Sequence, residues 1–336
     1  MMNILFTCAG RRNYLIKYFK NAVGHSDKIL AADMQLSAPA MVDADMAFHV
    51  PSVYDDTYIE VLWQICKKNN VTAIISLNDL ELPILAKNKE KFELINTKLI
   101  ISSEEVIDVC FDKFKTYQFC LENNINAPKT YISFERAVSS IEKKELSFPV
   151  ILKPRWGSAS IGIELAHNME ELELINRILT IKLEKTILAT ASSKAPYEAI
   201  MIQEYIQGQE FGLDVINDLD GNYCQTIVKK KLAMRAGETD KALIVDDPNL
   251  SILGEKVGRL LKHIGNLDCD FFLRDSKYYL LEMNCRFGGG YPFSHEAGAD
   301  LPRAIIMWLK REKVSTDILS AKPGMSFSKY DSLMPV

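Results

Sequence analysis

The chain has 336 residues and a formal net charge of -4, with 48% hydrophobic and 25% charged residues, an ordinary globular balance with room for two or three domains. The net acidic charge argues against a general nucleic-acid binder, and no apolar run approaches the ~20 residues of a membrane span. The opening MMNILFTCAGRR lacks the basic start and longer apolar core of a secretion signal. Seven cysteines are scattered without a CxxC pair. Cys8, Cys66, Cys110, Cys120 and Cys269 lie in apolar contexts and read as small core residues of a reduced, cytoplasmic protein.

In the first hundred residues, apolar strands alternate with helical stretches, which predicts a parallel sheet with functional groups beyond its strand ends. Strands are expected at NILFTC (Asn3 to Cys8), KILAAD ending on Asp33, AFHV, VTAIISLND and KLIISS. Helices are expected at NYLIKYFKNAV, from Asp55 to Asn70, and through LPILAKNKEKF. AlaGlyArgArg at 9 to 12 is no GxGxxG fingerprint, so a dinucleotide site is unsupported. Gly10 at a βα turn with Arg11 and Arg12 suits a phosphate or carboxylate; a plain turn with solvated arginines accounts for the same residues. Asn78, Asp79 and Glu81 could receive an amine or hydroxyl, and Asn78 or Asp79 equally suits a helix N-cap.

FPVILKPRWGSASIGI, residues 148 to 163, reads as a strand ending in Lys153 and a loop carrying Gly157, Ser158, Ser160 and Gly162. Small residues let backbone amides approach phosphate oxygens, and Lys153 supplies positive charge. The lysine precedes the glycines, so this is not a Walker A loop. Upstream, the helix DKFKTYQFCLENN carries Lys113, within reach of a phosphate. AIMIQEYIQGQEFGLDVI gives two strands with a break at Gln207-Gly208. Gln203, Glu204, Tyr205 and Ile206 form an extended linker whose backbone suits an adenine edge, and Glu210 suits ribose hydroxyls. Near the C-terminus, YYLLEMN sets Glu282 and Asn284 on one face of a strand, with Arg286 two residues on. A hairpin turning at 274 to 277 brings Asp270 beside them. Three oxygen ligands next to a guanidinium suit Mg²⁺ on a polyphosphate.

These elements in this order (DKFKTY, VILKP with its Gly/Ser loop, IQEYIQGQEF, DCDFF and LLEMNCRFGG) resemble the ATP-grasp superfamily over essentially the whole chain. In particular the chain resembles single-module relatives of the carbamoyl-phosphate synthase large subunit and biotin-carboxylase-like ligases. The resemblance implies mixed α/β and α+β architecture. A Rossmann-like pre-ATP-grasp domain at 1-102 precedes an ATP-grasp fold of two subdomains, at 103-195 and 196-320, with a tail at 321-336. It implies ATP with two Mg²⁺ or Mn²⁺ ions, Lys113 and Lys153 on the triphosphate, and a lid at Gly157 to Gly162. It also implies a hinge at Glu204 to Ile206, Glu210 at the ribose, and metal ligands Asp270, Glu282 and Asn284. Arg286 falls at the transferring phosphate, so the catalytic set is Arg286, Lys153 and Asn284. Asp270 replaces the more frequent Glu or Gln and is shorter by a methylene.

The implied reaction is attack of a substrate carboxylate on the γ-phosphate of ATP, followed by displacement of phosphate by an amine. A phosphoryl-transfer enzyme forming a carboxyphosphate, or a kinase making no amide, is the alternative. One module is too little for a complete carbamoyl-phosphate synthase, and no room remains for a biotin-carrying domain. Residues 228 to 247 are unusually cationic, and Lys231 and Arg235 could hold an acidic substrate; a solvated charge run explains the same pattern. The polar stretch 184 to 199 is expected to extend the lid. The expected partners are a small carboxylate and a small amine, with neither nucleic acid nor membrane. A homodimer is left open.

Overall fold

The computed structural model describes residues 2–157 and 162–335. The alternating segments of the first hundred residues form a five-stranded parallel sheet from β1 (Asn3–Thr7), β2 (Lys28–Asp33), β3 (Met46–His49), β4 (Val71–Ser76) and β5 (Lys98–Leu99), in the order β3-β2-β1-β4-β5. Each of β1, β2 and β4 is almost wholly buried, as expected of strands covered on both faces. The order reverses between β1 and β4, placing a crevice beyond their carboxyl ends. The helix predicted over 55 to 70 runs Tyr58–Lys68. The one predicted through LPILAKNKEKF breaks at Asn88 into Leu82–Lys87 and Lys89–Glu93. KLIISS contributes only two residues to the sheet.

A four-stranded sheet follows, ordered β6-β9-β7-β8, from β6 (Thr130–Tyr131), β7 (Val150–Pro154), β8 (Glu164–Ala166) and β9 (Ile200–Glu204). Helices Phe134–Glu142 and Met169–Leu183 accompany it, and Leu152, Ile202, Leu172 and Leu179 meet in their shared core. Residues 184 to 199, expected to extend the lid, instead pack down. They contain the helix Ala189–Ser192, and Leu188 and Ala191 join the same core.

The largest sheet has six strands: β10 (Gln209–Asn217), β11 (Tyr223–Arg235), β12 (Glu238–Val245), β13 (Gly265–Arg274), β14 (Lys277–Asn284) and β15 (Ser326–Ser328), ordered β14-β13-β10-β11-β12-β15. The predicted hairpin turn is real. Asp275 and Ser276 both take positive φ (49° and 58°), the two-residue geometry that follows strand twist. Part of the segment expected as a tail is β15, an edge strand paired with β12. Helix Pro248–Leu261 lies on this sheet, capped by Asp247, which accepts from the amides of Asn249 and Leu250, with proline at its first position. The cores cross the expected domain boundaries. Ile4 and Phe6 of β1 pack with Ile216, Phe287, Tyr291 and Ile305. On the other side, Leu5 and Tyr58 join Phe211, Phe271 and Leu280. The parallel sheet and the six-stranded sheet are therefore parts of one packed body.

Between the two antiparallel sheets runs the linker 205–208. A Cβ added at Gly208 would lie 2.1 Å from the carbonyl oxygen of Leu273, so only glycine lets the linker pass the end of β13. Gly208→Ala is expected to lower the melting temperature by about 3–10 °C through overpacking. Gly24→Ala, at an exposed turn with no close contact, serves as the unchanged control.

Candidate active site

In antiparallel pairs, residues directly opposite share a sheet face. Gly212 lies opposite both Lys229 and Asp270, Asp214 opposite Asp268, Asp270 opposite Glu282, and Asp268 opposite Asn284. One face of the large sheet thus carries Glu210, Asp214, Lys229, Lys231, Asp268, Asp270, Glu282 and Asn284. The opposite face carries Phe211, Leu213, Val215, Val228, Leu267, Cys269, Phe271 and Met283, all in the core. One irregularity makes this separation work. Phe271 pairs with Leu280 while Asp270 pairs with Glu282, so Leu281 is an extra residue. That bulge keeps Leu280 in the core and still turns Glu282 and Asn284 to the polar face.

The charges on this face are paired. Lys231 Nζ sits 2.6 Å from Glu210 and 2.7 Å from Asp270. Lys229 pairs with Asp214, which also accepts from the Ser294 hydroxyl and, at 3.1 Å, from Asn266 Nδ2. Arg286 donates to Asp79 at 2.9 Å and to Asp268 at 3.2 Å. Burial pushes Asp270 up to about 7, helped by Asp268, Glu282 and Glu210 and opposed by Lys231. Burial also raises Glu282, but Lys113, Lys153, Lys231 and Arg286 outweigh it, and its carboxyl ends below the usual range. Burial raises Asp268 too, against Arg286 and Lys229. Glycines bring the loop after β14 onto this face: a Cβ at Gly288 would lie 2.2 Å from the carboxyl carbon of Asp268.

The second wall comes from the four-stranded sheet. Lys153 is opposite Met201 and Ile151 is opposite Gln203, so Lys153 and Gln203 share a face, while Leu152 and Ile202 point into the core. Lys153 is 4% exposed. Its burial, with Lys113 nearby, pushes its ammonium down to about 8, against the pull of Glu282 and Asp270. Lys113 opens the helix Lys113–Glu122, whose cap Asp112 also receives a two-pronged contact from Arg155 at 2.8 Å. Lys113 Nζ donates to the carbonyl of Gly157. Gly157 has φ +122° and its Cβ would lie 2.7 Å from Leu188, so packing as well as φ demands glycine there; Gly162 has φ +70°. Ser158 and Ser160 lie outside the described residues. In the linker, Glu204 pairs with Arg274 at 2.8 Å, Ile206 is buried and Tyr205 is about one-third exposed.

The residues expected to contact substrate are mostly engaged elsewhere. Glu81 is fully buried and accepts from Thr7 at 2.7 Å and from Ser76 and Tyr58, leaving no oxygen exposed for an amine. Asp79 is taken by Arg286. Asn78 Oδ1 accepts the Leu80 amide at 2.9 Å within the turn, whereas the helix Leu82–Lys87 has Glu81 at its cap position and no side-chain capping bond. Arg12 Nη1 donates to the carbonyls of Leu77, at 3.1 Å, and Phe287, at 2.5 Å, and so ties the β4 end to the loop after β14. Arg235 is half exposed near the β11–β12 turn, paired with Asp240 and Asp331. Lys231 is on the polar face, and Arg11 is exposed. Two residues of this face carry no reading from the sequence, Asp268 and Asp214, and Lys229 stands there only as a member of the cationic run 228 to 247. Asn266, Asp268 and Asp270 alternate along β13, a period-2 signal present in GNLDCDF.

Among the described residues no group of three or more His, Cys, Asp and Glu side chains forms a ready metal cage. Asp270, Glu282 and Asn284 instead offer two carboxylates and an amide from adjacent strands. This donor set fits Mg²⁺, which typically takes one or two carboxylates and leaves its other positions to phosphate and water. Burial raises Asp270 and the neighbouring Asp268, Glu282 and Glu210 add to it, and a divalent ion at this spot would oppose both.

A phosphate on Lys153 must bind its charged form, so affinity is greatest below about 8 and falls as pH rises through that value. Calorimetric binding of tripolyphosphate is expected to weaken about tenfold more between pH 7 and 9 in the native chain than in Lys153→Met. An identical pH slope in both would contradict the assignment.

A model of the PylC-like N-terminal domain matches residues 4–100, and a model of the ATP-grasp domain matches residues 110–290. The coenzyme gamma-F420-2:alpha-L-glutamate ligase of Methanocaldococcus jannaschii is 26% identical over 182 residues, 52% of this chain and 57% of that one. The arginine-specific carbamoyl phosphate synthase large chain of Bacillus subtilis is 21% identical over 206 residues, 59% of this chain and 18% of that one. Among solved structures, the biotin carboxylase domain of Hydrogenobacter thermophilus 2-oxoglutarate carboxylase, in complex with MgADP, ADP and bicarbonate, gives a TM-score of 0.73. It is 17% identical, covering 94% of this chain and 71% of that one. The chain spans less than two thirds of the length of either curated relative. Its ATP-grasp match takes in more than half of the residues, with the Asp270–Glu282 hairpin, Lys113 and Lys153 inside it, and the chain belongs to the ATP-grasp family.

Proposed function

We propose that this protein is an ATP-dependent ligase that joins a small carboxylate to a small amine, through phosphorylation of the carboxylate. The observation that carries this reading is the convergence of Lys113, Lys153, Lys231 and Arg286 on Glu282, opposite Asp270, between two sheet faces. Cations spread in that way suit a polyphosphate, whose transferring group carries charge on several oxygens. A carboxylate is a poor electrophile, and phosphate supplies the leaving group that lets an amine add. The product of that first step hydrolyses in water, so burial of the flanking side chains is itself useful chemistry.

In this reading Lys153 and Lys113 hold the phosphates, with Gly157 and Gly162 bounding the covering loop. Gln203 to Ile206 line the base, Glu210 takes the ribose once Lys231 releases it, and Arg286 faces the group in transfer. Asp270, Glu282 and Asn284 would hold Mg²⁺, which neutralises phosphate charge when bound. Asp79 and Asp268 fix the guanidinium of Arg286 in one orientation before substrate arrives.

Mass spectrometry of metabolite extracts incubated with ATP and the native chain, against Glu282→Ala, tests the reaction. A product equal to two precursors minus water, formed with ADP only by the native chain, is expected. A phosphorylated product that gains no amine would replace this reading with phosphoryl transfer alone. Once a substrate pair is known, Asp79→Asn is expected to lower kcat about tenfold to hundredfold with less than about threefold change in KM for ATP. A change confined to KM would contradict the positioning role.

A further inference from the structure

Glu81 is fully buried beyond the ends of β1 and β4, and no step of the reaction touches it. Its Oε2 accepts from Thr7 Oγ1 of β1 at 2.7 Å and from Ser76 Oγ of β4 at 2.5 Å. Its Oε1 accepts from the Tyr58 hydroxyl of helix Tyr58–Lys68. Each hydroxyl has one proton to give, and all three protons go to this side chain. A carboxylate can take them at both oxygens. An amide accepts at one oxygen alone and would turn its N–H groups toward the remaining hydroxyl. None of these three partners is a cation, so the carboxylate is costly to bury. What it supplies is a brace that joins two strands and a helix.

The brace holds one end of a tight turn. The Glu81 amide donates to the Asn78 carbonyl at 3.1 Å, and at the other end the Leu77 amide donates to the Thr7 carbonyl at 3.2 Å. Asp79 is the first central residue of this turn and is 6% exposed. Its Oδ2 receives Nε and Nη2 of Arg286 at 3.2 and 2.9 Å, and the third nitrogen, Nη1, goes to Asp268 at 3.2 Å. The guanidinium is therefore oriented by where the turn puts Asp79, and any shift of the turn pulls on the Glu81 contacts.

We propose that Glu81 is a positioning residue for the transfer step: through the 78–81 turn and Asp79 it fixes the Arg286 guanidinium against the group in transfer. This rests on reading Arg286 as the residue at that group. A misplacement of about 1 Å caused far from the chemistry can cost on the order of a hundredfold in rate, which gives a buried brace leverage on kcat.

Crystal structures of the native and Glu81→Gln chains, with steady-state kinetics on the substrate pair found in extracts, test this. In Glu81→Gln the Arg286 guanidinium is expected to lie more than about 1 Å from its native place, with kcat lowered about tenfold to hundredfold and KM for ATP changed less than about threefold. In an Asp79→Asn background, where the same connection is already cut, Glu81→Gln should cost less than about twofold more. Thr7→Ser, which keeps the hydroxyl, should retain native kcat, and Thr7→Val, which removes one donor, should lose about threefold to tenfold. An unmoved guanidinium in Glu81→Gln would overturn the proposal. So would a loss confined to KM, or losses from Glu81→Gln and Asp79→Asn that multiply. A native chain that forms no product with ADP would remove the ligase reading instead, and the guanidinium's place in the two structures would still decide whether Glu81 positions it.

Discussion

Charge buried on one face of a sheet is tolerated only when every ionised group finds a partner, and that constraint organises this molecule. Strand alternation gathers Glu210, Asp214, Asp268, Asp270 and Glu282 on one side of the large sheet, beyond what Lys229 and Lys231 of the same sheet can neutralise. The balance is drawn from elsewhere: Arg286 from the loop after β14, and Lys113 and Lys153 from the other wall. Lys231 occupies the most crowded point, shared between Glu210 and Asp270. A face so assembled is primed for a ligand that brings both negative phosphates and a cation, because it already contains partners for each.

The same constraint explains how the N-terminal sheet is used. The crevice beyond β1 and β4 is the place where an open parallel sheet usually binds a ligand. Here it is largely occupied by protein. Arg12 reaches from it to the Phe287 carbonyl, and Asp79 reaches from it to Arg286. Glu81 is sealed below by three hydroxyl donors. The N-terminal sheet thus serves the large sheet by holding its arginine and its glycine loop, and hydrophobic contacts such as Phe19 on Phe287 reinforce that docking.

Much of this was legible in the sequence because it depends on local periodicity. The Glu282–Asn284 alternation, the two-residue turn and the pairing of Asp270 with Glu282 all follow from strand period and turn position. The bulge at Leu281 was not legible, since LLEMN reads equally well as an unbroken strand. Arg12, Asp79 and Glu81 stand out in the sequence, but the protein partners they take are not legible there. A charged residue beyond a strand end signals an interaction without saying whether the partner is a ligand or a residue some 200 positions away. The even spacing that would put Arg235 on the same face as Lys231 is interrupted by the register shifts in the β11–β12 pair. β15 and the packed 184–199 segment were missed because their order comes from the surface they cover rather than from any period of their own.

The most direct test of this account is a crystal structure with Mg²⁺ and a non-hydrolysable ATP analogue. The account predicts phosphates between Lys153 and the Asp270–Glu282 pair, the metal on those carboxylates, and the Lys231 ammonium moved off Asp270. An analogue bound elsewhere, with Lys231 still bridging Glu210 and Asp270, would contradict it.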